Sequence, residues 1–184
     1  DSSTSRGLGD VYKRQGVVTP YFNASSVDTD GIDIELSYAM DTNAGQLSLG
    51  MNATHMLSYD IPIAGVTTDV VGEFNRTNFA TSLPETKAVF SANLSNGSHS
   101  VAAYIRHIAS YKTSAPTASG IALGFTSNIG SFDTMDVQYN YTMITSQSEE
   151  LKFTAGIKNA FDEDVPMFEN GTDWSYDSRQ HDPR

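Results

Sequence analysis

Six stretches between Gly31 and Phe161 alternate apolar and polar side chains with period two, and the connections between them are alternately short and long. Ile32, Ile34, Leu36, Tyr38 and Met40 alternate with Asp33, Glu35, Ser37 and Ala39. Leu47, Leu49, Met51 and Ala53 do the same in the second stretch, and Ala88, Phe90, Ala92 and Leu94 in the third. Val101, Ala103 and Ile105 follow, then Met135, Val137, Tyr139, Tyr141 and Met143, and finally Leu151, Phe153, Ala155 and Ile157. Side chains of a strand point alternately to opposite faces, so each stretch reads as a strand with one apolar and one wet side. Residues 41–44, 95–98 and 145–149 make tight turns, whereas 60–85, 113–130 and 162–184 are long connections. Short turns at one rim and long loops at the other form the pattern of a transmembrane β-barrel. The expected fold is all-β, an antiparallel up-and-down transmembrane β-barrel, here a partial barrel of about six strands.

Hydropathy is compatible with that reading. Mean hydropathy is −0.32, and no apolar run approaches the roughly 18 residues of a spanning helix. A barrel needs none, because its backbone groups are satisfied between strands and only alternate residues face lipid. The chain has no cysteine, which excludes disulfides, thiol chemistry and zinc ribbons. A net charge of −11 argues against nucleic acid as a partner.

Residues 1–15, DSSTSRGLGDVYKRQ, resemble a translated sequencing-adapter remnant and lack the apolar core of a signal peptide. They are taken as a non-native or disordered leader, leaving 16–184 as one barrel segment.

Several later motifs occur in a definite order: NASSVDTDGIDIELSY at 23–38, Leu83-Pro84-Glu85-Thr86-Lys87, YIRHIASY at 104–111, and NAFDEDVP at 159–166. Tyr176-Asp177 and His181-Asp182-Pro183-Arg184 follow. Together these resemble the late barrel strands of TonB-dependent outer-membrane receptors, over nearly everything from Asn23 to Arg184. In that family a Gly-Arg pair and an aromatic-rich closing strand come next. The resemblance therefore implies the C-terminal part of a larger plugged barrel, with its final strand missing. It implies location in the cell outer membrane, contact with outer-membrane lipid, and import of a scarce nutrient: a siderophore, vitamin or carbohydrate. It also implies energy supplied by the TonB complex through an N-terminal region absent from this chain.

Orientation follows from loop length, with short turns in the periplasm and long loops outside. Tyr59, Tyr111, Phe132 and Phe161 then lie near the outer interface, and Tyr38, Tyr139, Tyr141 and Phe153 near the inner one. Such rings favour the headgroup level. Ile34, Leu49, Phe90, Ile105, Val137 and Phe153 are expected on a convex, lipid-facing side. Glu35, Ser48, Asn93, Arg106, Asp136 and Lys152 are expected inside.

No enzyme is expected. The chain lacks a Gly-x-Ser-x-Gly elbow, a phosphate-binding glycine loop and a His-Glu-x-x-His helix. His55 and His107 fall late on the apolar faces of two strands, His99 in a turn, and His181 in the polar terminal segment. Asp28-Thr29-Asp30-Gly31 lacks the flanking ligands of a calcium loop. No catalytic residue, metal ligand or cofactor is assigned. Asn-x-Ser/Thr sequons lie within strands, as at Asn52 and Asn140, and fit a polar barrel interior.

Ligand contacts belong in the long loops. Phe79 in 60–85 and Trp174 and Tyr176 in 162–184 are the candidate extracellular contacts, because rigid aromatic faces give contact area at low entropy cost. The acidic 162–184 segment disfavours an anionic chelate. A passive porin and a soluble secreted β-sandwich are the alternative readings, of which the sandwich has no reason to confine long loops to one rim.

Overall fold

The computed structural model describes residues 26–63, 65–74, 82–113, 122, 124, 127–145, 149–169 and 174–182. The leader assigned to 1–15 and the candidate contact Phe79 lie outside the described residues.

Six long strands carry the fold: β1 (Asp28–Thr42), β2 (Gly45–Ile63), β5 (Thr86–Asn96), β6 (His99–Ile108), β9 (Phe132–Ile144) and β10 (Glu150–Ile157). They pair antiparallel in chain order, β1-β2-β5-β6-β9-β10, as the alternation of short and long connections requires. Among the described residues β1 and β10 each pair on one side only, so the sheet is open. The tight turns have local causes. Asn43 and Ala44 join β1 to β2, with the Thr42 hydroxyl donating to the Gly45 carbonyl at 2.7 Å. A side chain at Gly45 (φ 128) would overlap the Ser95 carbonyl oxygen, so only glycine fits there. Gly97 (φ 57) supplies the left-handed residue of the two-residue turn between β5 and β6.

Register places the apolar residues on one face. Ile34 pairs with Ala53, Ala53 with Ala88, Ala88 with His107, and His107 with Asp133. Directly paired residues share a face, so the next rows follow: Leu36-Met51-Phe90-Ile105-Met135, then Tyr38-Leu49-Ala92-Ala103-Val137-Ile157. The six residues expected to share the apolar side do so, and so do the six expected opposite.

The long connections are more ordered than the sequence suggests. β2 runs on to Ile63 and folds back as β3 (Val66–Asp69), extending the sheet past the start of β1. Short strands β4 (Glu73–Phe74), β7 (Tyr111–Thr113) and β8 (Asn128–Ile129) form a second small sheet in which β4 and β7 are parallel. β11 (Phe168–Glu169) and β12 (Trp174–Ser175) make a hairpin. The buried apolar cluster, Tyr111, Ile129 and Phe168 with Phe74 against it, therefore sits in this cap at the long-loop rim and not on the main sheet. Tyr111 and Phe132, expected in an outer aromatic ring, are instead buried: Tyr111 in the cap, and Phe132 on the polar face against it. The cap offers each ring a protein slot, which removes any need for an interfacial position.

Candidate functional site

The sheet presents two unlike faces. On the apolar one, large side chains stand exposed across all six strands, among them Leu36 at 58%, Phe153 at 55% and Ile157 at 64% relative accessibility. Small residues Ala92 and Ala103 open an apolar groove of about 560 Å³ between Leu36, Leu49, Phe90 and Ile105. Each end of this face has a polar fringe. At the short-turn end His99 Nδ1 lies 2.6 Å from the Tyr139 hydroxyl, and Tyr141 stacks on Phe153 at 6.5 Å. At the long-loop end His55 meets Thr86 at 2.8 Å and Glu85 at 3.6 Å, and His107 meets Asp133 at 2.6 Å.

The other face is hydrogen-bonded and charged. Thr54 donates to Asp33 at 2.7 Å, and Gln138 and Thr154 both donate to the Asn140 side-chain oxygen at 2.9 Å. Arg106 pairs with Asp136 at 2.7 Å, and the same carboxylate accepts the Asn159 backbone N–H at 3.0 Å. Asn159 (φ 45) turns the chain out of β10, and its side chain exchanges two hydrogen bonds with the Glu163 backbone. The NAFDEDVP motif is thus a turn fastened to the polar face.

Residues 176–182 cross the long-loop end of that face as a strap. Arg179 and Gln180 roof a cleft of about 760 Å³ whose floor includes Glu35, Asn52, Lys87 and Arg106. Asp177 is the strap's anchor: its Oδ2 accepts the Ser82 hydroxyl and, at 3.2 Å, the Tyr111 phenol, while Oδ1 accepts the Arg179 N–H at 3.0 Å. Gln180 also donates to the Ser82 carbonyl and hydroxyl oxygens at 3.3 and 3.1 Å. Burial, and then the negative charge of Asp177, push the Tyr111 phenol well above its ordinary pKa and keep it a neutral donor. His181 stacks on Tyr111 (5.9 Å) and meets Phe132 edge-on (5.2 Å). Sequence reasoning placed it in an open polar segment, and nothing in Gln180-His181-Asp182 signals burial.

Of the candidate contacts, Trp174 lies in β12, its backbone paired with Glu169. Tyr176 is half-buried beside the anchor Asp177. Trp174 precedes the strap in the chain and Tyr176 is its first residue. Ser82 donates straight to a carboxylate with no imidazole between them, which is the geometry of a structural pin and not of an activated nucleophile. Among the described residues no three His, Asp or Glu side chains converge on a common metal position. Compared with protein-family models, curated proteins and solved structures, the chain matches none.

Proposed function

We propose that the apolar face is a lipid-facing surface, and that the chain is a segment of an outer-membrane β-barrel that imports a scarce nutrient. The observation that carries this is the exposed apolar face spanning six strands, opposite a polar one. Soluble monomers rarely leave more than a few hundred Å² of contiguous apolar surface open to water. The height of the face supports the same reading. Ile32–Met40 and Met135–Met143 each advance about 27 Å at ~3.4 Å per residue, or about 21 Å at a 40° tilt, close to the ~25 Å apolar band of outer-membrane barrels. Aromatic rings and His99 at one end, and histidine–carboxylate pairs at the other, suit the two headgroup levels. In the complete barrel the polar face lines the lumen, and further strands satisfy the free edges of β1 and β10.

Ordered resemblance to TonB-dependent receptors favours active transport over a passive pore. The cap and strap then form part of the extracellular vestibule, with Phe79, Trp174 and Tyr176 as contacts for a siderophore, vitamin or carbohydrate. The absence of cysteine makes a clean test possible. Single cysteines at Leu36, Phe90 and Ile105 carry a fluorophore that a lipid-soluble quencher reaches in proteoliposomes, while labels at Asn52 and Asn93 respond to a water-soluble one. Labels at the first three positions that respond only to the aqueous quencher overturn the membrane reading. Transport itself is read by uptake through the complete receptor: Trp174→Ala or Tyr176→Ala lowers ligand affinity at normal surface abundance. Unchanged affinity in both removes the loop from the binding site.

A further inference from the structure

His181 is an anomaly for its surroundings. It is 1% exposed and held between the Tyr111 and Phe132 rings, and among the described residues neither ring nitrogen has a hydrogen-bond partner. A neutral imidazole there hides one N–H donor and one lone pair from water, whereas a phenylalanine would fill the slot with neither cost. The residue also sits at the working end of the strap. Its backbone N–H donates to the Asp177 carbonyl at 2.8 Å, and its neighbours Gln180 and Asp182 line the polar-face clefts.

We propose that His181 is a proton-sensitive latch: neutral, it seats the strap over the polar face, and protonated, it leaves the aromatic slot and uncovers the cleft beneath. An imidazolium has two N–H donors and a full charge, and among the described residues the slot offers two ring faces and no acceptor to either ring nitrogen. Burial accordingly pushes His181 below its ordinary value, with Asp177 opposing.

The charged groups around the latch set the direction of the response. Asp177, on the strap itself, attracts an imidazolium and resists release. Its oxygens are already engaged by Ser82, Tyr111 and the Arg179 N–H, and Lys87 on β5 adds an opposing charge beside it. Arg106 on β6 is matched by Asp136 on β9, and both line an adjoining cleft of the polar face together with Lys158 beyond β10 and Asp182 on the strap. Tyr111 stays a neutral phenol. A histidine whose seated form prefers to be neutral leaves the seat unaffected above its free pKa near 6.5. The seat weakens as pH falls below that value, because only the released imidazole takes the proton readily. Between pH 7.5 and 5.5 this amounts to about tenfold in the seated-to-released ratio if the seated ring stays neutral. The latch is internal to the chain and does not depend on what covers the apolar face.

The test is hydrogen exchange of the full chain in detergent, followed by mass spectrometry at pH 7.5 and 5.5, with protection corrected for intrinsic exchange. Protection of the peptide spanning residues 176–182 falls by about tenfold at the lower pH while β5 and β6 hold theirs. In His181→Phe the strap stays protected at both values. Should that variant fail to fold, the wild-type imidazole shift, followed by NMR, decides: it titrates below 6.5, in step with the loss of strap protection. A pH-independent strap overturns the proposal. So does an equal fall in His181→Phe, or an imidazole that ionises while the strap remains seated.

Discussion

Phe90 and Phe168 are the same side chain in opposite circumstances. Phe90, in the middle of the main sheet, is 41% exposed, whereas Phe168, in a two-residue strand of a loop, is 2% exposed. Around Phe168 the chain provides Phe74 at 5.0 Å, Tyr111 and Ile129, a small core of the kind that water drives together. Around Phe90 it provides Leu36, Met51 and Ile105 in a flat row, with no element of the described chain above them. Among the described residues the large side chains on the sheet's apolar face stay largely exposed, whereas the irregular part packs its own into a cluster. The cap completes its own burial, while the sheet face leaves its apolar side chains open, as the proposed lipid-facing role requires. The comparison predicts that the two regions are separable.

The largest effect belongs to the cap. Phe168→Ala removes a buried ring and should cost the cap about 3–5 kcal/mol, read as accelerated proteolysis and exchange across 162–182. The β5 and β6 amides should keep their protection. If they lose it too, cap and sheet form one cooperative unit and the separation between them fails. Next comes the apolar face: Val137→Arg should cost about 2–4 kcal/mol in reversible unfolding from lipid, and Gln138→Arg on the opposite face much less. Equal costs would erase the difference between the faces. Smaller again is Ser82→Ala. It takes one donor from the buried Asp177 carboxylate and should loosen the strap by about 1–3 kcal/mol, measured by exchange at the Gln180 and His181 amides.

How much of this was legible in the sequence differs between the same two regions. The sheet was legible because strand periodicity is local: the alternation from Ile32 to Met40 fixes a face, and a shift of one residue would reverse it. Turn length then set the neighbour order. The cap was not legible, because its strands are two or three residues long and carry no period. Glu73–Phe74 and Tyr111–Thr113 pair in parallel across a wide sequence gap, which no local pattern encodes. One signal was present. Phe74, Ile129 and Phe168 are large apolar residues in the long connections, Tyr111 directly precedes one, and such residues seek one another. For the candidate site, aromatics in 162–184 drew attention to Trp174 and Tyr176. The buried anchor Asp177 and His181 lay beside them unsuspected, since burial of a lone polar residue depends on distant rings.

The smallest effect concerns the polar face, where the comparison predicts that an ion pair is worth little. Arg106 and Asp136 meet at 2.7 Å, but the arginine side chain is half exposed. Its guanidinium gains little over water and loses side-chain freedom, so Arg106→Gln should cost less than about 1 kcal/mol. Asp136→Asn should cost more than Arg106→Gln, because that carboxylate also accepts the Asn159 N–H that fastens the turn after β10. A double-mutant cycle with both substitutions isolates the pair: its coupling should be on the order of 0.2–1 kcal/mol. A much larger coupling would mean that water is excluded from this face and that charge is stabilised there as in a dry interior. The polar face would then belong with the cap, as a second buried region, and the contrast between a wet sheet and a dry loop core would have to be redrawn along the strap.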